Sequence, residues 1–147
     1  VVTVSDLVSR DPGLSVYFRC KIDTSSGELG DWTTCTGLGI SFETVSQGDS
    51  ATFSFMHHFP KSKTYTNVTL GRPISPSTDK VLAWLSAFSV LPHPTVAEIS
   101  ALDPDGRTIM TFNLYGVVPV KWTGPSFDAS SLKIAEEQLE LAYQGFL

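Results

Sequence analysis

The sequence predicts a mainly β domain, a barrel or two-sheet sandwich that carries one α-helix on its flank. Three observations point there. Apolar and polar residues alternate with a period of two along several short runs, as in strands with one dry and one wet face. Charged residues make up only 17% of the chain, so the polar faces are built largely from Ser, Thr and Gly. One segment alone keeps convincing helical spacing. A chain of 147 residues with 41% apolar content suits a single domain, 1–147, able to bury its own core. No internal repeat or linker divides it, and residues 1–15 read as an N-terminal segment.

The clearest strand comes first: Val16, Phe18, Cys20 and Ile22 alternate with Tyr17, Arg19 and Lys21. The stretch Ser25-Ser26-Gly27-Glu28-Leu29-Gly30-Asp31 reads as a turn. Leu38, Ile40 and Phe42 then alternate with Gly39, Ser41 and Glu43 in a second strand, which is expected to pair with the first through a long connection. Residues 45–63 are the least regular: Gln47-Gly48-Asp49-Ser50 is a turn, Ala51, Phe53 and Phe55 alternate with Thr52 and Ser54, and His57-His58-Phe59-Pro60-Lys61 interrupts again. A protruding β-arm accounts for this. A strand over 65–70 is expected to end at Gly71-Arg72-Pro73.

The helix is predicted over 78–89. Ser75 or Ser77 can cap it, Asp79 suits its first turn, and Val81, Trp84, Leu85 and Phe88 form one apolar face, with Pro92 and Pro94 beyond its end. Residues 95–102 and 107–115 flank Asp103-Pro104-Asp105-Gly106, a type I turn sequence, and so predict a hairpin. Its second arm places Met110, Phe112 and Leu114 on one face against Thr111 and Asn113. Residues 117–122 continue extended. Six or seven strands result.

The last segment obeys two conflicting rules. Residues 132–143 are mostly good helix formers, which favours a helix. Their spacing favours a strand: Ala135, Leu139, Leu141 and Tyr143 share one face of a period-two ladder, and Glu136, Gln138 and Glu140 share the other. Only Glu137 breaks the pattern.

Ten basic against fifteen acidic residues give a formal charge of −5, with no Lys/Arg cluster, so specific nucleic-acid binding is not expected. The start Val1-Val2-Thr3-Val4-Ser5-Asp6 has neither the basic flank nor the apolar length of a signal peptide, which points to synthesis and assembly in the cytoplasm. There Cys20 and Cys35 are expected to act as small buried apolar residues rather than a bridge. No apolar run is long enough to span a bilayer, so no membrane insertion is expected. Adjacent strand residues point to opposite faces, so His57 and His58 do not suit one metal ion. Gly37-Leu38-Gly39 lacks the third glycine and the helix of a dinucleotide site. Ser126 and Asp128 lack both a nearby His and a nucleophile elbow, and read instead as part of a tight Gly-Pro turn that starts a strand. No catalytic residue, cofactor or metal is assigned.

Lys121-Trp122-Thr123-Gly124-Pro125-Ser126-Phe127-Asp128-Ala129, followed by the terminal ladder, resembles the C-terminal signature of contractile-tail tube proteins, which include phage tail tubes and the inner tubes of extracellular contractile injection systems. Thr36-Gly37-Leu38, the irregular arm, the helix with Asp79 and Trp84, and the acidic turn at 103–106 follow the same family order. Leu70-Gly71-Arg72 and Gly116-Val117-Val118-Pro119 depart from its common pattern. The resemblance implies that the terminal ladder is a strand, and that subunits close a hexameric ring around a channel. It also implies rings stacked through the long arm, here 45–63 with Gln47, Gly48, Asp49, Phe53, Phe55, His57, Phe59 and Lys61. Sheath, baseplate and cap proteins and a cargo would be the partners. The polar residues Arg19, Lys21, Ser41, Glu43, Glu136 and Glu140 then become candidates for the channel wall or a sheath-facing surface. A tube-initiating or baseplate-linked paralogue and a monomeric β-sandwich binding module are the alternatives.

Overall fold

The computed structural model describes residues 17–23, 27–48, 56–130 and 133–147, with the backbone alone along 45–48 and 56–61. The elements run β1 (Tyr17–Ile22), β2 (Glu28–Trp32), β3 (Thr34–Thr36), β4 (Ile40–Gly48), β5 (Met56–Tyr65), β6 (Val68–Pro73), α1 (Thr78–Val90), β7 (Thr95–Leu102), β8 (Thr108–Thr123) and β9 (Glu136–Ala142). Seven strands form one antiparallel sheet in the order β2-β1-β7-β8-β9-β6-β3, and β4 pairs with β5 in a separate two-stranded sheet.

Two bent strands roll the large sheet into a barrel. Strands β2 and β3 stand at opposite ends of the order, yet Thr33 alone separates them in the chain. Both the N–H and the hydroxyl of Thr33 donate to the Gly71 carbonyl at 3.0 Å, so the chain leaves β1 and joins β6 within one residue. Strand β8 turns the opposite corner, pairing with β7 up to Val117 and with β9 from Val118 onward. Gly116 sits at this bend with φ +64, a conformation costly for any residue with a Cβ. The result is two layers, β2-β1-β7-β8 and β8-β9-β6-β3. The space between them is filled by Cys20, Ile22, Leu29, Trp32, Leu70, Ile99, Leu114, Leu139 and Leu141, with Val81 and Trp84 of α1.

The terminal stretch is a strand, because β9 lies between β6 and β8 and gains a hydrogen-bonded partner on each edge. That pairing and the burial of Leu139 and Leu141 outweigh a helix preference of a few tenths of a kcal/mol per residue. Glu137 lies on the dry face as its parity demands, and is fully buried. The 103–106 turn closes through the Gly106 N–H on the Asp103 carbonyl at 3.0 Å, and the Asp103 carboxylate accepts from the N–H groups of Asp105 and Arg107.

Several expectations are corrected. The predicted turn over 25–31 overlaps strand β2, in which Leu29 and Gly30 are both buried: a bulge opposite Cys20 and Lys21 breaks the alternation. The first two predicted strands do not pair, since β1 lies between β2 and β7 while β4 pairs with β5. Gly71, Arg72 and Pro73 belong to β6 rather than ending it, and Tyr65 belongs to β5. Nine strands are present among the described residues, not six or seven. Ser77 occupies the helix N-cap position without a side-chain capping bond; its backbone is itself helical, and its N–H donates to the Ser75 hydroxyl. Val81 and Trp84 are buried as expected, whereas Leu85 and Phe88 are only partly covered. Val16, Ser25, Ser26, Asp49 and residues 50–55, with Phe53 and Phe55, lie outside the described residues.

Candidate assembly interface

The bends that close the barrel leave half-edges open. Residues 108–114 of β8 pair with β7 on one edge, and among the described residues the other edge has no strand partner before the Tyr115–Gly145 bridge. Residues 121–123 pair with β9 and, among the described residues, leave the opposite edge open. Exposed apolar side chains flank both: Ile109, Met110 and Tyr115 at the first, Val120 at the second, where a register shift between Pro119 and Lys121 pushes it out of the ladder. Unpaired N–H and C=O groups beside exposed apolar side chains form a template for another chain's strand.

The corresponding open edge of β2 is closed from within. Arg72 of β6 donates through Nη1 to the carbonyls of Leu29 (2.8 Å) and Asp31 (3.2 Å), replacing a strand partner. Its Nε donates to the Glu137 carboxylate, and its guanidinium carbon lies 3.8 Å from the centre of the Trp32 ring. The second Glu137 oxygen accepts from Trp122 Nε1 at 3.2 Å. One buried ion pair therefore ties β2, β6, β9 and β8 together at the seam. Sequence reasoning missed it, although Glu137 was the only break in an otherwise regular ladder.

The arm is a hairpin of β4 and β5, paired from Ile40↔Tyr65 to Gly48↔Met56 with a shift between Glu43 and Thr44, and it joins neither barrel layer by strand pairing. Gln47, Gly48, His57, Phe59 and Lys61 lie along its backbone, while Asp49, Phe53 and Phe55 fall outside the described residues.

The six polar candidates occupy three separate places. On the outer face of the first layer, Arg19 donates to Asp31 at 2.9 Å and lies 3.4 Å from Glu28, while Lys21 stands opposite Glu28 and Glu98 in register. At the arm, the Ser41 hydroxyl donates to the Thr64 carbonyl and the Glu43 carboxylate accepts from Ser62. On the second layer's outer face, Glu136 stands opposite Pro73. Glu140 accepts from Asn67 Nδ2 at 3.1 Å between Thr69 and Lys121, in a shallow polar hollow completed by Thr123 and Gln138.

The C-terminal motif divides by depth. Trp122 reaches inward to Glu137, and its ring lies so close over Gly124 that a Cβ there would come within 2.9 Å of it. Pro125 is half-buried; Ser126, Phe127, Asp128 and Ala129 are exposed, with Phe127 at 78%. The Asp128 carboxylate accepts from the hydroxyl (2.7 Å) and N–H (3.0 Å) of Ser130, contacts that hold its pKa below the ordinary value. These residues do not form a tight turn into a strand, because β9 begins only at Glu136. Among the described residues no three His, Cys, Asp or Glu side chains converge as a metal site would; those of His57 and His58 lie outside that description. No described helix is long and apolar enough to cross a membrane.

The same fold recurs in solved structures. A chain of the extracellular contractile injection system PVC, in its sheath-tube complex in the extended state, superposes with a TM-score of 0.79 at 22% identity, over 99% of this chain and 96% of that one. A chain of the anti-feeding prophage baseplate gives 0.71 at 17% identity, over 91% and 93%. Hcp1 from Salmonella typhimurium gives 0.55 at 12% identity, over 86% and 81%. No curated protein matches by sequence. The family model of the T4-like virus tail tube protein gp19 matches residues 14–147, and the chain belongs to that family of structural tail tube proteins.

Proposed function

We propose that this chain is the inner-tube protomer of a contractile injection system or contractile phage tail. Six copies close a ring, rings stack into a hollow tube, and a contracting sheath drives the tube into its target. The observation that carries this reading is the pair of open half-edges on β8, with their exposed apolar flanks, on a barrel whose β2 edge is sealed internally. A neighbouring copy that adds strands there would remove the exposed edges, as ring closure does in general. Interfaces of this obligate kind bury on the order of 2,000 Å² or more.

The arm, with Gln47, Gly48, Asp49, Phe53, Phe55, His57, Phe59 and Lys61, is assigned to contact between stacked rings. The polar candidates Arg19, Lys21, Ser41, Glu43, Glu136 and Glu140 are assigned to the channel wall or the sheath-facing surface. Sheath, baseplate and cap proteins are the assembly partners, and cargo passes through the lumen. A ring of six chains at −5 each carries −30, which favours passage of a polyanion over its retention. Stiffness is the mechanism, so no residue needs to react. Electron microscopy of the purified chain tests the reading: six-fold rings and tubes are expected, and a strictly monomeric species at high concentration overturns it. Single rings that never lengthen would favour a tube-initiating paralogue.

A further inference from the structure

The arm stands outside both barrel layers, so its direction depends on what holds its base. Tyr65 ends β5 opposite Ile40, and the N–H of Thr66 donates to the Gly39 carbonyl at 3.2 Å across the root of the hairpin. The Tyr65 ring packs edge-on against Phe146 (centroids 5.1 Å apart, planes at 72°) and tilted against Tyr143 (5.5 Å). Phe146 in turn meets Phe112 of β8 edge-on at 5.9 Å. The Tyr143 hydroxyl donates to the same Gly39 carbonyl at 3.5 Å. Between them Gly145 presses on the Tyr65 ring so closely that a Cβ would lie 3.1 Å from it. The segment is anchored on the β8 bend, where the Tyr115 N–H donates to Gly145 O (2.8 Å) and Tyr115 O accepts from the Gln144 N–H (2.7 Å).

We propose that Tyr65, Tyr143 and Phe146 are positioning residues: they fix the angle of the arm to the barrel, and through it ring-to-ring stacking, while ring closure is left to β8. This rests on the assignment of the arm to stacking. Leverage makes the angle matter. At about 3.3 Å per residue the nine residues of β4 reach about 30 Å, so a tilt of roughly 10° moves the tip by about 5 Å, one inter-strand spacing. A contact surface displaced that far no longer meets its mate.

The test compares three full-length point variants and one shortened-arm variant by electron microscopy, scoring rings and tube length separately. Phe146→Ala and Tyr65→Ala are expected to form rings whose stacking constant falls about tenfold, roughly 1.4 kcal/mol per stacking step, so that mean tube length, which follows the square root of that constant, falls about threefold. Tyr65→Phe keeps the ring and removes a buried hydroxyl that has no hydrogen-bond partner among the described residues, so it should grow tubes of normal length. The fourth variant replaces residues 46–58 with Asn-Gly and should form rings that do not stack. Normal tubes from Phe146→Ala and Tyr65→Ala, beside stacking failure in the shortened-arm chain, overturn the positioning role and leave the arm's role standing. Loss of rings as well as tubes in the alanine variants also overturns it, since the aromatics would then serve the fold. Normal stacking by the shortened-arm chain overturns the arm assignment itself.

Discussion

Replacing Glu137 with Gln removes one charge from the seam and leaves the shape nearly unchanged. In the native chain Glu137 is fully buried and Arg72 is 4% exposed, so neither charge has water to fall back on. Arg72 would keep its bonds to the Leu29 and Asp31 carbonyls and its place over Trp32, but its counter-charge would be gone. Breaking a buried pair from one side costs roughly 3–5 kcal/mol, because the surviving charge stays buried and uncompensated. For a chain of this size, at about 2–4 °C per kcal/mol, Tm should fall by roughly 6–20 °C. Urea unfolding followed by tryptophan fluorescence measures the loss directly, since Trp32 and Trp122 both touch the pair. The double variant Arg72→Met with Glu137→Leu separates charge from edge-sealing. Removing both charges should recover much of the loss, yet each abandoned β2 carbonyl still costs about 1–3 kcal/mol. A Glu137→Gln protein within about 1 kcal/mol of the native chain would refute the seam as the origin of this stability. Full recovery in the double variant would refute the edge-sealing role of Arg72.

Other consequences follow from single sites. Burial pushes the Cys20 thiol up to about 12, and Cys35 to about 11, from an ordinary 9.0. Alkylation at pH 8, read by mass spectrometry, should therefore be slow in the folded chain and fast in urea. Because the folded thiols hold their protons to higher pH than the unfolded ones, this contribution is constant below about pH 9 and stability declines as pH rises from there toward 11–12. Gly37 has φ +91, and a Cβ there would overlap the Asn67 carbonyl oxygen, so Gly37→Ala should cost at least about 1–3 kcal/mol in urea titration. Asp103→Ala removes the acceptor for two N–H groups of the β7–β8 turn and should cost about 1 kcal/mol by thermal melting.

What the sequence disclosed depended on whether a strand kept its alternation and found its partner nearby. The β1 ladder, the β7–β8 hairpin and the helix were legible, because period-two or helical spacing survived intact and the acidic turn was local; in β9 Glu137 broke the ladder and propensity favoured a helix, so the resemblance to tube proteins decided for a strand. Strand β2 was hidden by its bulge, which turns Leu29 and Gly30 to the same side and erases the period that marks a strand. Its partner β1 in turn joins β7, far along the chain, and no local pattern announces such a pairing. The barrel corners were hidden for the same reason: each depends on one residue, Thr33 or Gly116, at which the partner changes.

The seam shows how a broken pattern can carry more information than a kept one. A carboxylate on the dry face of a strand is tolerable only beside a buried cation, so Glu137 required a basic partner inside the barrel. Arg72 was hidden because Gly71-Arg72-Pro73 has the composition of a turn, and a turn arginine belongs in water. Once β6 extends through Pro73, pairing Leu70 with Leu139 and Arg72 with Glu137, the same alternation that buries the leucine buries the arginine. The residue that breaks the hydrophobic ladder thus holds the arginine that seals the β2 edge from inside, leaving β8 as a corner strand whose edges are, among the described residues, open to a neighbour.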